Sequence, residues 1–208
     1  EVKIKADGAN QFESFKQADA SSLSREEVIE NMMKSGVWPF IRQRPYDVIA
    51  NPADMPKAIH VTAFDSAPLA PDYGFIAHGQ GDVLQAGLDA LAKLTEGKVH
   101  LNITGNANAD EAFSGAKNVQ INKVSGPHPA GNVGIQLHHI DPINKGEIVW
   151  TLKALDVLTI GKLFKEGKFD ASRVIAVTGP KVNDPKYYKT VMGANVGDLL
   201  KNGTEEGD

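Results

Sequence analysis

The chain predicts an α/β fold built on a mostly parallel sheet. Three observations carry this. Apolar runs of strand length recur along the sequence, amphipathic stretches with cap signals fall between them, and glycines and prolines mark the joins.

The elements follow in order. Glu1–Gly8 alternates like a strand that ends in a turn, and a lone strand needs a sheet. No initiator Met precedes it, so the expectation is a fragment that begins inside a longer protein. Residues 9–23, polar and rich in Ser and Ala, suit a linker. Ser24 and Glu27 then spell a capping box. Val28 with Met32 and Ile29 with Met33 lie four apart on the helix that follows, Lys34 sits in its last turn, and Gly36 is a natural stop. After prolines 39, 45, 52 and 56, residues 58–63 read as a buried strand. A helix near 80–96 presents Leu84, Leu88, Leu91 and Ala92 on one face, with Gly97 closing it. Strands follow at 98–103 and 119–124, with a weak helix at 108–116 between them. Residues 148–152 read as extended and 154–166 as helical, with Val157, Ile160 and Phe164 inward and Gly167 as stop. A strand at 173–178 comes next, and the tail reads as strand 188–192, turn 193–195 and short helix 196–201, like the start of another small domain.

A length of 208 residues suits one ordinary domain with partial neighbours. The 22 basic and 26 acidic residues give a net charge of -4 and leave no clustered basic surface, which argues against nucleic acid as a partner. Lys181, Lys186 and Lys189 come closest to a patch. Cysteine is absent, which excludes disulfides, thiolate zinc sites and cysteine nucleophiles. No apolar run approaches the roughly 20 residues that span a bilayer.

The stretch from Val124 to Gly131, running on to Pro142, holds three of the six histidines and three of the eleven prolines. Such a loop has a specified shape, and the end of a strand is where α/β proteins keep ligand contacts. It either binds something or is inherited from an ancestor that did. His128, His138, His139 and Asp141 could ligate a metal, but adjacent histidines diverge on any regular element, and no metal site is expected. Ser125 lacks the hydrolase elbow, and no catalytic residue is assigned. Gly79 and Gly81 lack the third glycine of a dinucleotide fingerprint and read as a turn into a helix capped by Asp82. In residues 35–45, Trp38, Phe40, Arg42 and Arg44 could stack on and pair with a ligand. The competing reading has the aromatics closing the core and the arginines facing water.

Four segments together, Lys34–Pro45, Val61–Ala70, Gly126–Gly131 and Val177–Pro180, resemble one family: the NqrA subunits of the sodium-translocating NADH:quinone reductase, a bacterial respiratory complex. The resemblance runs in order along essentially the whole chain. It implies the end of a barrel-sandwich domain at 1–13, a linker at 14–23, a Rossmann-like domain with helices on both faces at 24–183, and the start of an SLBB domain at 184–208. It implies kinship of the central domain with the FMN-binding domains of complex I and of RnfC. It also implies a peripheral subunit on the cytoplasmic face of the bacterial inner membrane, docked chiefly on the membrane-embedded NqrB subunit and reaching the membrane only through the complex. NADH, flavins, iron–sulfur and sodium transport belong to the complex, and ubiquinone is the ligand this subunit would meet. The related flavoproteins carry a glycine-rich loop where this chain has Gly36, Val37, Trp38 and Pro39, so no FMN is expected. The ligand candidates are Trp38, Phe40, Arg42, Arg44 and His128, for an apolar slot with one or two donors. The alternative is a docking scaffold without a ligand.

Overall fold

A computed structural model describes residues 3–5, 8, 9, 11–200, 203 and 204. Residues 3–5 have no regular structure, and much of the strand expected at 1–8 lies outside the described residues. The polar stretch that follows is docked rather than free. Phe15 N–H donates to Gly167 O at 2.7 Å, Ala18 N–H donates to Phe164 O at 3.1 Å, and a 3-10 turn at Ala20–Ser22 buries Ala20.

Helix α1 (Arg25–Ser35) forms as its caps dictate. The Ser24 side chain accepts from Glu27 N–H, the Glu27 carboxylate accepts from Ser24 N–H, and Gly36 closes the helix at φ 80°, where a Cβ is disfavoured. Of its apolar pairs, Val28 and Met32 are buried, whereas Met33 is exposed.

A hairpin follows in the proline-punctuated stretch, where no strand is expected: β1 (Arg42–Arg44) and β2 (Val48–Ile49). The remaining elements are β3 (Ala58–Thr62), α2 (Tyr73–Ala77), α3 (Gly81–Ala92), β4 (Lys98–Thr104), α4 (Glu111–Ser114), β5 (Gln120–Val124), α5 (Val133–Ile140), β6 (Val149–Lys153) and α6 (Ala154–Glu166). Six strands form one sheet in the order β2-β1-β6-β3-β4-β5. β6, β3, β4 and β5 run parallel, and β1 adds antiparallel to β6 and to β2.

Two helix expectations need correcting. α3 ends at Ala92 rather than near 96, with Ala92 exposed and Leu94 buried just beyond the end. Asp82 does not cap it: Gln80 precedes the first turn without a side-chain bond, and Asp82 lies inside that turn. α6 matches its expected span, with Val157, Ile160 and Phe164 buried.

Strand alternation divides the chemistry of the sheet. Ile59 and Val61 join Leu84, Leu88, Val157 and Ile160 in the main apolar cluster under α3 and α6. His60 and Thr62 face the other way, where Gln136 of α5 donates to Thr62 Oγ1 at 3.0 Å. Helices therefore lie on both faces.

The strand expected at 173–178 forms as β7 (Ser172–Val177), yet it does not join this sheet. It pairs antiparallel with β8 (Lys186–Val191) in a separate two-stranded unit, followed by α7 (Val196–Leu199). Lys201, the expected last residue of that helix, is outside the described residues.

Candidate functional site

Leaving β3, the chain moves to β4 on one side, then to β5, and returns to β6 on the other side of β3. Such a reversal opens a crevice at the carboxyl ends of the two strands, where open α/β sheets bind ligands. A cavity of about 520 Å³ lies there. It is lined by Thr62 at the end of β3, Phe64 and Asp65 after it, Leu152 and Lys153 of β6, and Asp156 at the start of α6.

Four of the five sequence candidates meet at this cavity. Phe40, Arg42 and Arg44 reach it from the hairpin side, and His128 reaches it from the proline-rich loop. Trp38 does not join them. It is 2 % exposed, donates Nε1–H to Ala50 O at 2.8 Å, and meets Trp150 edge-on with centroids 5.5 Å apart. A large ring with its one donor satisfied in the core belongs to packing. Pro39, Gly36 and Val37 are likewise absent from the lining.

Each lining candidate is held by a local contact. Arg42 Nε–H donates to Asp47 Oδ1 at 3.3 Å and its Nη2 to Asp47 O, while Arg44 Nη2 lies 3.6 Å from the same carboxylate. The β1–β2 hairpin thus presents both guanidinium groups through one acid. Phe40 stacks on Phe169 with centroids 6.4 Å apart, and the Arg173 guanidinium lies 5.4 Å from the Phe40 ring centre.

His128 is set by Ser66, whose hydroxyl accepts from Gly131 N–H at 2.8 Å and sits 3.1 Å from His128 Nδ1. The serine oxygen keeps a second lone pair beside the one that Gly131 N–H uses, so either partner can donate in this contact, and Nε2 is the ring nitrogen left outside it. The proline-rich loop can approach this closely because residue 131 is glycine. A Cβ there would lie 2.4 Å from Ser66 N.

Sequence reasoning missed the acidic and phenolic lining. Burial raises the Asp156 carboxyl above the ordinary carboxylate range, opposed by Arg173, whose Nη2 is 3.4 Å away. Burial, with the nearby Asp65 and Asp156 charges, pushes the Tyr73 phenol up to about 12. These residues sit after the end of β3 and at helix starts far apart in sequence, and no local pattern marks them.

A second polar group lies beneath α5 and meets the cavity lining at Thr62 and Thr151. Register places His60 beside Thr151 and His100, and Thr62 beside Asn102, which itself neighbours Asn122. Asn122 donates to Asn102 Oδ1 at 2.9 Å, Asn102 to Gln136 Oε1 at 3.1 Å, and Gln136 to Ala130 O at 3.1 Å. The signal was present in the sequence: His60 interrupts an apolar run, and polar residues alternate in β3, β4, β5 and β6. Asp141 lies within reach of this group, whereas His128, His138 and His139 do not join it.

An open, mostly parallel sheet with a cavity at its reversal point, followed by a small antiparallel unit, defines an α/β domain with an appended module. The family model described as the NqrA second alpha/beta domain matches residues 23–169, and that described as the NQRA C-terminal domain matches 174–208. The chain belongs to the NqrA family, the NqrA subunits of the Na(+)-translocating NADH-quinone reductase. It is 36% identical over 207 residues to the NqrA of Saccharophagus degradans, 37% to that of Cellvibrio japonicus and 38% to that of Photorhabdus laumondii. Each match covers the whole of this chain and 46% of the relative, so the chain spans about half the length of the curated relatives it matches. Among solved structures, NAD+-reducing [NiFe]-hydrogenase shares the fold. Its air-oxidised form gives a TM-score of 0.58 at 13% identity, covering 89% of this chain and 42% of that one, and its H2-reduced form gives 0.59. Among the described residues, no helix is long and apolar enough to cross a membrane.

Proposed function

We propose that this chain is the central part of a peripheral subunit of a sodium-pumping complex that oxidises NADH and reduces ubiquinone, and that its cavity meets the quinone. One observation carries the reading: Phe40, Arg42, Arg44 and His128, from segments more than eighty residues apart, line a single crevice at the sheet reversal. Quinone recognition calls for an apolar wall and one or two donors at the carbonyls. Phe40 and Leu152 supply the wall; Arg44 and the His128 ring supply the donors. The complex passes electrons through groups held by its other subunits, and this domain's part is binding and orientation. Docking on the membrane-embedded NqrB subunit at the cytoplasmic face belongs to the same reading.

The domain descends, in this view, from FMN binders without holding FMN. A phosphate cradle needs unpaired amides. At the corresponding loop, Gly36 N–H donates to Met33 O at 3.2 Å, Phe40 N–H to Val37 O at 3.1 Å and Ile41 N–H to Trp38 O at 3.0 Å, and Pro39 has no N–H. No catalytic step is routed through a flavin in this chain.

The test uses the assembled complex. A photoreactive ubiquinone analogue is expected to label residues 40–44 or 128–133, and Arg44→Ala and His128→Ala are each expected to raise the KM for quinone about tenfold, the loss of one hydrogen bond to a charged or polar donor. Absent labelling together with unchanged quinone kinetics would refute the reading. A docking scaffold remains the second reading, favoured by the exposed apolar edge at Tyr46 (85 %) in the hairpin turn and Val48 (49 %) and Ile49 (50 %) on the outer strand. It expects changes there to impair assembly while quinone kinetics stay unaltered.

A further inference from the structure

The polar group under α5 contains an unpaired member. His60 is fully buried, and neither Nδ1 nor Nε2 has a hydrogen-bond partner among the described residues. An orphaned polar group in a core costs about 1–3 kcal/mol, so a native site that keeps one calls for an explanation. The neighbours supply it. The His100 ring lies over His60 with centroids 4.3 Å apart, and ligand atoms of His60, His100 and Asp141 all fall within 4.8 Å of one another.

We propose that His60, His100 and Asp141 form a binding site for one divalent transition-metal ion of the zinc class, separate from the cavity at the sheet reversal. Two imidazoles and a carboxylate are a donor set that such ions accept. They come from β3, β4 and the end of α5, so the ion would pin α5 to the two strands it covers. Zinc–ligand distances of about 2.1 Å require donor atoms roughly 3.5 Å apart, so the three groups close inward on binding.

The two rings lie 9° from parallel, and a shared ion requires one of them to turn. His60, with no hydrogen bond to break, is the ring free to do so. His100 can also yield: Asn122 Nδ2 has two hydrogens for three acceptors, His100 Nδ1 at 3.2 Å, Asn102 Oδ1 at 2.9 Å and Gln120 O at 3.4 Å. Asp141 is oriented from outside by Lys57, whose Nζ lies 2.9 Å from Asp141 Oδ1 and 2.7 Å from Glu147 Oε2. Such an outer partner positions a ligating carboxylate.

The chelator-stripped 208-residue chain is titrated with Zn2+ by calorimetry and with Co2+ by visible absorption. One equivalent is expected to bind, with the absorption of an N- and O-ligated cobalt ion and a rise in melting temperature. His60→Gln and His100→Gln are expected to remove this binding. Asp141→Asn, at the half-exposed end of α5, is expected to keep the fold and weaken binding at least about tenfold. A His138→Ala/His139→Ala double variant is expected to bind as the parent does. Failure of the parent chain to bind, undiminished binding by Asp141→Asn, or loss of binding only in the double variant would each overturn the proposal. None of these outcomes bears on quinone labelling, so the two readings fail separately.

Discussion

A neutral imidazole closed inside a sheet couples protonation to unfolding at His60. Burial, helped by the adjacent His100 ring and opposed by Asp141, pushes the His60 pKa down to about 4, whereas the ring in the unfolded chain titrates near 6.5. Above 6.5 the ring is neutral in both states and contributes no pH dependence. Between 6.5 and 4 the unfolded state holds more protons, so stability falls as pH is lowered through that window and levels off below it. The full difference corresponds to about 3 kcal/mol, and His100, shifted downward by the same burial, adds in the same direction. Urea unfolding in chelator-containing buffer at pH 7, 6, 5 and 4 measures this, with His60→Gln as comparison. The parent is expected to lose about 3 kcal/mol more than the variant over this range. Equal losses would refute the assignment. Trp38 carries a second lesson at this scale: aromatic character close to two arginines suggested ligand contact, but its indole is consumed by Ala50 O and Trp150.

Helices α3 and α6 touch through glycines, and their packing turns on atoms those residues lack. A Cβ on Gly161 would lie 1.8 Å from Val83 O, and one on Gly87 would lie 2.4 Å from Val157 O. Both obstacles are backbone, which cannot swing aside as a side chain could. Gly161→Ala must therefore part the two helices or bend one, and overpacking of this kind costs about 1–3 kcal/mol. A melting experiment should find Gly161→Ala well below the parent, while Gly36→Asn, at a φ of 80° that Asn tolerates, stays close to it. A Gly161→Ala variant as stable as the parent would mean that the helices are not in this register. These elements were legible where the signal was local. α1 announced itself through Ser24, Glu27 and Gly36, and α6 through its apolar period and Gly167. The hairpin was not legible, because Arg42–Arg44 has no apolar alternation and its place in the sheet comes from pairing with β6, more than a hundred residues away. Helix α5 was hidden for a related reason. Asn132 caps it, but the face it buries is centred on Gln136, whose partners are polar side chains on the sheet. Of the cavity, the hairpin arginines and His128 could be read from local composition, while Asp65, Tyr73 and Asp156 became visible only when the chain was folded.

Tyr187 and Arg173 tie the β7–β8 unit to the α/β domain, and one of them pairs with a carboxylate that lines the cavity. Tyr187 OH accepts from Asp72 N–H at 2.8 Å, and its ring lies 4.7 Å from that of Phe75. Arg173, in β7, donates to Thr159 Oγ1 at 2.6 Å, pairs with Asp156 at 3.4 Å, and covers Phe40. The residue that fastens the second unit is thus also the counter-ion of the carboxylate that lines the crevice. In Arg173→Ala, burial would act on Asp156 against Lys153 alone, and its carboxyl would be driven further upward. The pair is partly buried, with side chains 22% and 25% exposed, so solvent screens it only in part. Hydrogen bonds to charged groups of this kind contribute about 1.5–3 kcal/mol, and a loss of that size is expected for the variant. A double-mutant cycle with Asp156→Asn separates the ion pair from the other Arg173 contacts. If the two units are coupled through this pair, the cycle returns an interaction energy of about 1 kcal/mol or more. Calorimetry of Arg173→Ala should then resolve the β7–β8 unit melting ahead of the sheet. An additive cycle together with a single unchanged transition would show that the two units hold together without this pair.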